Sequence, residues 1–251
     1  MTTINFPERI RVEAVIQAAM DMEAKPLLDA LEPLEGEETP QVVVAGKFGH
    51  AVQRFILGML DGHKVLVVTS GIGLANGAAA AARALALVDT PIFIAAGTTG
   101  GLAHDIEVGD IAGGISTVYG QADATAFGYS FGQVPQMPAD YNSSEAAVGK
   151  LGRLGAHVEY TVRSGQILSS DSFATEQVAD PLRAQFPKAI GSDMETCAMA
   201  QVAWSAGVDW ISLRAVSDLC GPGADQQFHM DGERAAQHSA DAVRAFLNLE
   251  D

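Results

Sequence analysis

Two cysteines, Cys197 and Cys220, are all that the 251 residues contain. That is too few for a disulfide framework, and their spacing fits no metal-ligand motif. A reducing, cytoplasmic setting is expected. Basic residues are scarce as well: 15 Lys and Arg against 31 Asp and Glu, a formal net charge of -16. A field of that sign repels phosphate backbones, so nucleic acid is not an expected partner. It also disfavours a polyanionic substrate unless arginines cluster locally, and no such cluster occurs. No apolar run approaches the roughly 18 residues of a membrane span. The opening MTTINFPERIRVE lacks the basic segment and apolar block of a secretory signal. Missing too are a Walker lysine, a G-x-S-x-G elbow and an H-E-x-x-H pair. The six histidines (His50, His63, His104, His157, His229 and His238) show no ligand spacing, so neither a metal nor another cofactor is expected.

The remainder reads as globular: 48% of residues are apolar and 18% charged, without a composition shift or linker. One domain over 1–251 is expected, with 1–10 as a flexible tail. The chain is organised around 191–218. Asp193, Met194 and Glu195 precede a helix that is apolar almost all round (Cys197, Ala198, Met199, Val202, Ala203, Trp204), with Gly207 as its stop. Such a helix belongs in a core or a subunit interface. A strand from Trp210 to Val216 follows and ends in Ser217, Asp218 and a Gly-Pro-Gly loop.

Upstream, residues 10–19 read as a strand that hands over to a helix reaching Leu31. Glu23 stands at that junction and Pro26 is assigned to the helix's first turn. Strand-like runs at Gln41–Ala45 and Val52–Leu60 are joined by KFGH and closed by Asp61-Gly62. A strand at Lys64–Val68 breaks at Thr69-Ser70-Gly71-Ile72-Gly73 and gives way to an alanine-rich helix to Val88. The spacing G-x-G-x-x-x-G is one residue off the dinucleotide fingerprint, and Asp89 is misplaced for a ribose contact, so a Rossmann site is disfavoured. The strand Pro91–Ala96 runs into a second glycine turn at 97–101. Strands at 109–119 and Arg163–Leu168 follow, and residues 231–249 form an amphipathic helix. Strands ending in Gly, Ser or Asp with helices between them define an α/β fold with a mixed β-sheet and a site at the strand ends. The stretch 121–138 differs in kind: Phe127, Tyr129 and Phe131 lie close together in a loop with two prolines. Such a loop covers a pocket or buries itself in a partner subunit.

If Glu23, Ser70, Phe173, Met194, Glu195, Arg214 and Asp218 converge, they supply carboxylates, one guanidinium, a hydroxyl, an aromatic plate and a thioether. Separated carboxylates without a metal suit general acid and base work at an acetal-like carbon, where an oxocarbenium ion develops. Taken singly, each has a plainer reading. Asp193-Met194-Glu195 can be a helix N-terminal charge cluster, Phe173 a core residue, and Arg214 the partner of an internal carboxylate.

Seven segments occurring in order carry more. AMDME (19–23), TSGIG (69–73), GTTGGL (97–102), DATAFGYSFGQVP (123–135), SDSF (170–173), DMET (193–196) and RAVSD (214–218) together resemble the 5′-methylthioadenosine/S-adenosylhomocysteine nucleosidases, of the purine nucleoside phosphorylase/uridine phosphorylase superfamily. The resemblance spans roughly 12–249. It implies a nucleoside phosphorylase-like sandwich, a homodimer, an adenine nucleoside as ligand, and irreversible hydrolysis of the N9–ribosyl bond. It further implies that Asp218 protonates adenine N7 and that Glu23 is the base for water, which Ser70 and Arg214 help to hold. Glu195 would accept from the ribose hydroxyls above Met194, Phe173 would stack on adenine, and the backbone of Ala174 would read its edge. Phe127, Tyr129 and Pro135 would reach into the neighbouring subunit's pocket.

The sequence departs from the family pattern at Gln17-Ala18, where a glycine is usual, at Asp193, where Glu is usual, and at Ala96-Gly97-Thr98-Thr99. The segment Leu219–Gln227 looks long, which leaves Phe228 and Met230 as alternatives for the 5′ pocket. Superfamily phosphorylases hold phosphate with arginines near the first helix and just upstream of the first glycine turn. Here those neighbourhoods read QAAMDMEAK and KVLVVTSG, and a phosphate dianion buried without cationic partners is heavily penalised. Water is the expected nucleophile. A purine nucleoside phosphorylase, an aminodeoxyfutalosine nucleosidase and a non-catalytic nucleoside-binding protein are the alternatives.

Overall fold

A computed structural model describes residues 9–43 and 53–250. Every residue of strand β1 (Ala14–Ala18) is buried, as expected of a parallel strand covered on both faces. The hairpin β2 (Arg54–Leu60) and β3 (His63–Thr69) turns through Asp61 and Gly62, both at positive φ (51° and 88°), the geometry that matches strand twist in a two-residue turn. Then come β4 (Ile92–Ala95), β5 (Thr98–Gly101), β6 (Ile111–Tyr119), β7 (Val162–Ser169), β8 (Ala189–Asp193) and β9 (Asp209–Asp218). The sheet runs Tyr141–Asn142, β6, β7, β8, β5, β9, β4, β1, β3, β2, Gln41–Val42. An added antiparallel pairing of β6 with β9 closes β6, β7, β8, β5 and β9 into a ring.

Helices cover both faces. On one side α1 (Asp21–Asp29), α3 (Glu145–Leu154) and α6 (Ala224–Asn248) bury Leu27, Leu151, Val243 and Phe246 against Ile16, Val67 and Ile94. On the other, α2 (Leu74–Leu87) and α5 (Thr196–Ser205) press small faces (Ala80, Ala81, Ala84, Ala200, Ala203) against Val15, Leu66 and Phe93. Helix α4 (Glu176–Gln185) caps the ring. Small side chains let α2 approach closely: a Cβ on Gly77 would lie 3.1 Å from the Glu195 backbone carbonyl oxygen. Packing at that distance fixes where the α5 N-terminus sits.

The α/β sandwich matches the sequence expectation, with local corrections. Helix α1 starts at Asp21, so Pro26 falls in its second turn. Residues 98–101 form a strand, because Gly97 at φ 111° re-aims the chain after β4. Helix α6 starts seven residues before the predicted 231. Helices α3 and α4 were not anticipated. Ile10, the last residue of the expected tail, pairs with Val88. The KFGH connection lies outside the described residues. Helix α5 buries Cys197, Met199 and Ala203, while Trp204 is 49% exposed and meets Tyr141 edge-on at 5.9 Å. Among the described residues no helix is long and apolar enough to cross a membrane.

Candidate active site

The loops at the ends of β1, β5, β7, β8 and β9 surround a cavity of about 300 Å³, within the range of small-molecule sites. Glu23, Phe173, Ala174, Met194, Glu195, Arg214 and Asp218 all line it. Seven of the predicted residues, drawn from four separate stretches of chain, are thus brought together.

Glu23 is 1% exposed in the first turn of α1. Its Oε2 accepts from the backbone N–H groups of Ala19 (2.9 Å) and Met20 (3.0 Å), the reach-back typical of a carboxylate at that helical position. Its Oε1 accepts from both the N–H and the hydroxyl of Thr98, each at 2.7 Å. Four donors therefore fix the carboxyl group. Gly97 makes this seat possible: a Cβ there would lie 2.5 Å from the Glu23 carboxyl carbon.

Arg214, on β9, is 2% exposed and faces three carboxylates. Its Nη2 donates to Glu195 Oε2 at 3.1 Å, Nε lies 3.1 Å from Asp193 Oδ2, and Nη1 lies 3.8 Å from Glu23 Oε1. Nη1 also donates to the Thr98 carbonyl at 2.9 Å. Burial works against the arginine charge, and the carboxylates of Asp193, Glu195 and Glu23 outweigh it. Asp193 is anchored in turn by the Ser169 hydroxyl (2.5 Å), the Thr196 hydroxyl and the N–H groups of Glu195 and Thr196 (3.2 Å each). Glu195 Oε1 accepts from the Gly73 N–H at 2.8 Å, which ties the first glycine turn to the site. Burial first, then the charges of Asp193 and Glu23, push Glu195 up to about 7 despite Arg214.

Asp218 ends β9 and is 1% exposed. The Ser217 hydroxyl donates to its Oδ2 and the Cys220 N–H to its Oδ1, both at 3.0 Å. Burial raises its pKa against those bonds. Phe173 is 43% exposed and meets Phe228 edge-on at 6.3 Å, so two rings flank the opening. Phe228 lines the cavity, whereas the side chain of Met230 lies outside the described residues.

Ser70 does not line the cavity. Its hydroxyl is fully buried and donates to the carbonyls of Ala18 (3.2 Å) and Gly71 (2.9 Å), holding its turn against β1. Phe127, Tyr129 and Pro135 do not line it either, and Phe127 is 82% exposed at the end of a one-turn 3₁₀ helix. Thr98 and Asp193 were not predicted as site residues. Thr98 carried no signal beyond its glycine turn, whereas Asp193 stood two residues from Glu195. Among the described residues no group of three His, Cys, Asp or Glu is placed to hold a metal ion.

An isolated acid at one wall, a clamped carboxylate at another, and a cation already matched by anions suit proton transfer to and from a neutral ligand. Comparison with known proteins agrees with that chemistry. The family model of the phosphorylase superfamily matches residues 13–248. The 5′-methylthioadenosine/S-adenosylhomocysteine nucleosidase of Anoxybacillus flavithermus is 36% identical over 196 residues, 77% of this chain and 84% of that one. Among solved structures, the corresponding Neisseria meningitidis nucleosidase in complex with methylthio-immucillin-A superposes with TM-score 0.83 at 30% identity, over 94% of this chain and 98% of that chain. The S-adenosylhomocysteine nucleosidase of Streptococcus pyogenes in complex with 5-methylthiotubericidin gives TM-score 0.85 at 28% identity, over 96% and 98%. The chain belongs to the phosphorylase superfamily, in the branch that holds the 5′-methylthioadenosine/S-adenosylhomocysteine nucleosidases.

Proposed function

We propose that this chain is an N-glycosyl hydrolase that cleaves the N9–ribosyl bond of 5′-methylthioadenosine and S-adenosylhomocysteine, releasing adenine and a 5-thioribose product. In this reading Asp218, whose pKa burial raises, delivers a proton to adenine N7 as the glycosidic bond lengthens. Glu23 takes a proton from the attacking water. Arg214 helps to place that water, and Ser70 contributes only through the turn it holds. Glu195 accepts from the ribose hydroxyls with Met194 beneath the ring, Phe173 stacks on adenine, and the Ala174 backbone reads its edge. Charge spreading over the ribose as the oxocarbenium ion forms is favoured by carboxylates around a single guanidinium.

The observation that carries the reading is that Glu23 and Asp218 open on one cavity whose guanidinium is already matched by three carboxylates. A phosphate dianion would meet excess negative charge there, which favours hydrolysis over phosphorolysis. We also read 1–251 as one catalytic domain, acting as a homodimer in which Phe127, Tyr129 and Pro135 cover the neighbour's 5′ substituent. The exposure of Phe127 and the absence of these three from their own chain's cavity support this. Two buried free thiols fit a reducing cytoplasm.

The test is adenine release from methylthioadenosine, followed by absorbance, with Asp218→Asn alongside. Removing a general acid lowers kcat by roughly 10²–10⁴-fold. Unchanged turnover by the variant, or release that depends on added phosphate, defeats the reading.

A further inference from the structure

Outside the cavity, one arginine joins three segments that the site depends on. Arg183, on α4, donates through Nε to the Leu102 carbonyl (2.8 Å) and through Nη2 to the Leu219 carbonyl (3.0 Å). Its Nη1 pairs with Asp180 at 3.0 Å, and the side chain is 21% exposed. Leu102 follows β5, the strand that carries Thr98. Leu219 directly follows Asp218, and its own N–H donates to Gln227 Oε1 at 3.2 Å. The next residue, Cys220, is fully buried at φ 52°, a backbone conformation that a non-glycine residue holds only when its surroundings over-determine it. The Leu219 carbonyl that Arg183 binds and the Cys220 N–H that donates to Asp218 Oδ1 at 3.0 Å belong to one planar peptide unit. Leu102, Ala174, Ala179, Leu182 and Cys220 share one apolar cluster, so the Phe173–Ala174 loop and the Asp218 loop pack against α4.

We propose that Arg183 is a positioning residue for Asp218, clamping the Leu219 carbonyl and so the orientation of the Leu219–Cys220 peptide, whose N–H holds the acid against the ligand's leaving group. The proposal rests on the reading of Asp218 as the proton donor. Apolar packing alone sets the distance between α4 and the loop. The two charge-assisted bonds set the loop's rotation, because guanidinium geometry is directional.

The test compares Arg183→Ala and Arg183→Lys with the unaltered chain on two substrates. One is methylthioadenosine, whose leaving group needs a proton. The other is the 4-nitrophenyl glycoside of 5-methylthioribose, whose leaving group departs as an anion. Arg183→Ala lowers kcat on methylthioadenosine by roughly tenfold, a fraction of the 10²–10⁴ that a general acid supplies, and leaves kcat on the nitrophenyl glycoside within about twofold. Arg183→Lys, which reaches one carbonyl, falls between. Equal losses on both substrates, or none on either, overturn the proposal. A second readout does not depend on turnover. In Arg183→Ala, amide exchange in 218–223 accelerates while that of β1 and β4 is unchanged; undisturbed protection in 218–223 overturns the proposal. If the unaltered chain cleaves neither substrate, the hydrolase reading fails while the exchange result still decides the clamp.

Discussion

Gly97→Ala probes the seat of the proposed base without replacing a reacting group. Gly97 sits at φ 111°, a conformation that costs a residue with a Cβ about 1–3 kcal/mol. The added methyl would lie 2.5 Å from the Glu23 carboxyl carbon and 2.6 and 2.9 Å from its oxygens. Glu23 cannot move aside cheaply, because four donors hold it and bonds to a charged group contribute about 1.5–3 kcal/mol each. Strain plus the loss of one or two bonds gives about 4 kcal/mol of destabilisation. For a chain of this size that is a fall in Tm of roughly 8–16 °C. Gly36→Ala is the control, with a comparable φ of 87° and nothing within 4 Å of its Cβ; it should cost only about 1 kcal/mol. With the carboxylate displaced, kcat should fall at least 100-fold in the folded protein, with KM changed little. Thermal melts and steady-state adenine release measure both. A folded Gly97→Ala protein with normal kcat would refute the assignment of Glu23, whatever its Tm.

Glu195 gives a pH prediction. Its folded pKa of about 7 lies above the ordinary 4.5, so the folded state binds more protons than the unfolded state between those values. Its stabilising contribution is complete below about pH 4.5 and lost as pH rises through about 7, about 3 kcal/mol in all. Chemical denaturation of the unaltered chain minus Glu195→Gln across pH 4.5–8 should show that slope; a difference independent of pH would contradict it. Phe173→Ala removes a half-exposed ring and should raise KM roughly three- to tenfold by loss of stacking, with kcat nearly unchanged. Phe127→Ala should raise KM without lowering Tm, since the ring contributes little to its own chain's core. An unchanged KM in that variant, or sedimentation of the unaltered chain as a monomer at micromolar concentration, would count against the shared pocket.

Much of this site was legible because its residues stand at strand ends and helix starts, where periodicity changes and glycines mark turns. Glu23, Glu195 and Asp218 stand at such places, but their roles, and that of Arg214, came from the ordered resemblance of seven segments; the plainer reading of Arg214 as the partner of internal carboxylates describes its contacts. What stayed hidden depends on backbone angles and long-range contacts. The seat between Gly97 and Glu23 joins residues 74 positions apart in the chain. Thr98 was assigned to a turn because its strand pairing appears only once Gly97 bends the chain. Helix α4 contains Pro181, which weakens its helical signal. Helix α3 had a legible cap, the Ser144 hydroxyl accepting from the Ala147 N–H at 3.1 Å, but its glycines masked the period. Ser70 looked like a ligand-facing hydroxyl, and only the turn's geometry shows its oxygen directed at two carbonyls.

The most direct measurement is the origin of the oxygen placed on ribose C1. Methylthioadenosine is turned over in ¹⁸O-enriched water containing inorganic phosphate, and the sugar is analysed by mass spectrometry. Attack by water, activated at Glu23 while Asp218 protonates the base, gives 5-methylthioribose carrying one ¹⁸O and no phosphate ester. A 5-methylthioribose 1-phosphate product, or adenine formation that requires phosphate, would contradict it.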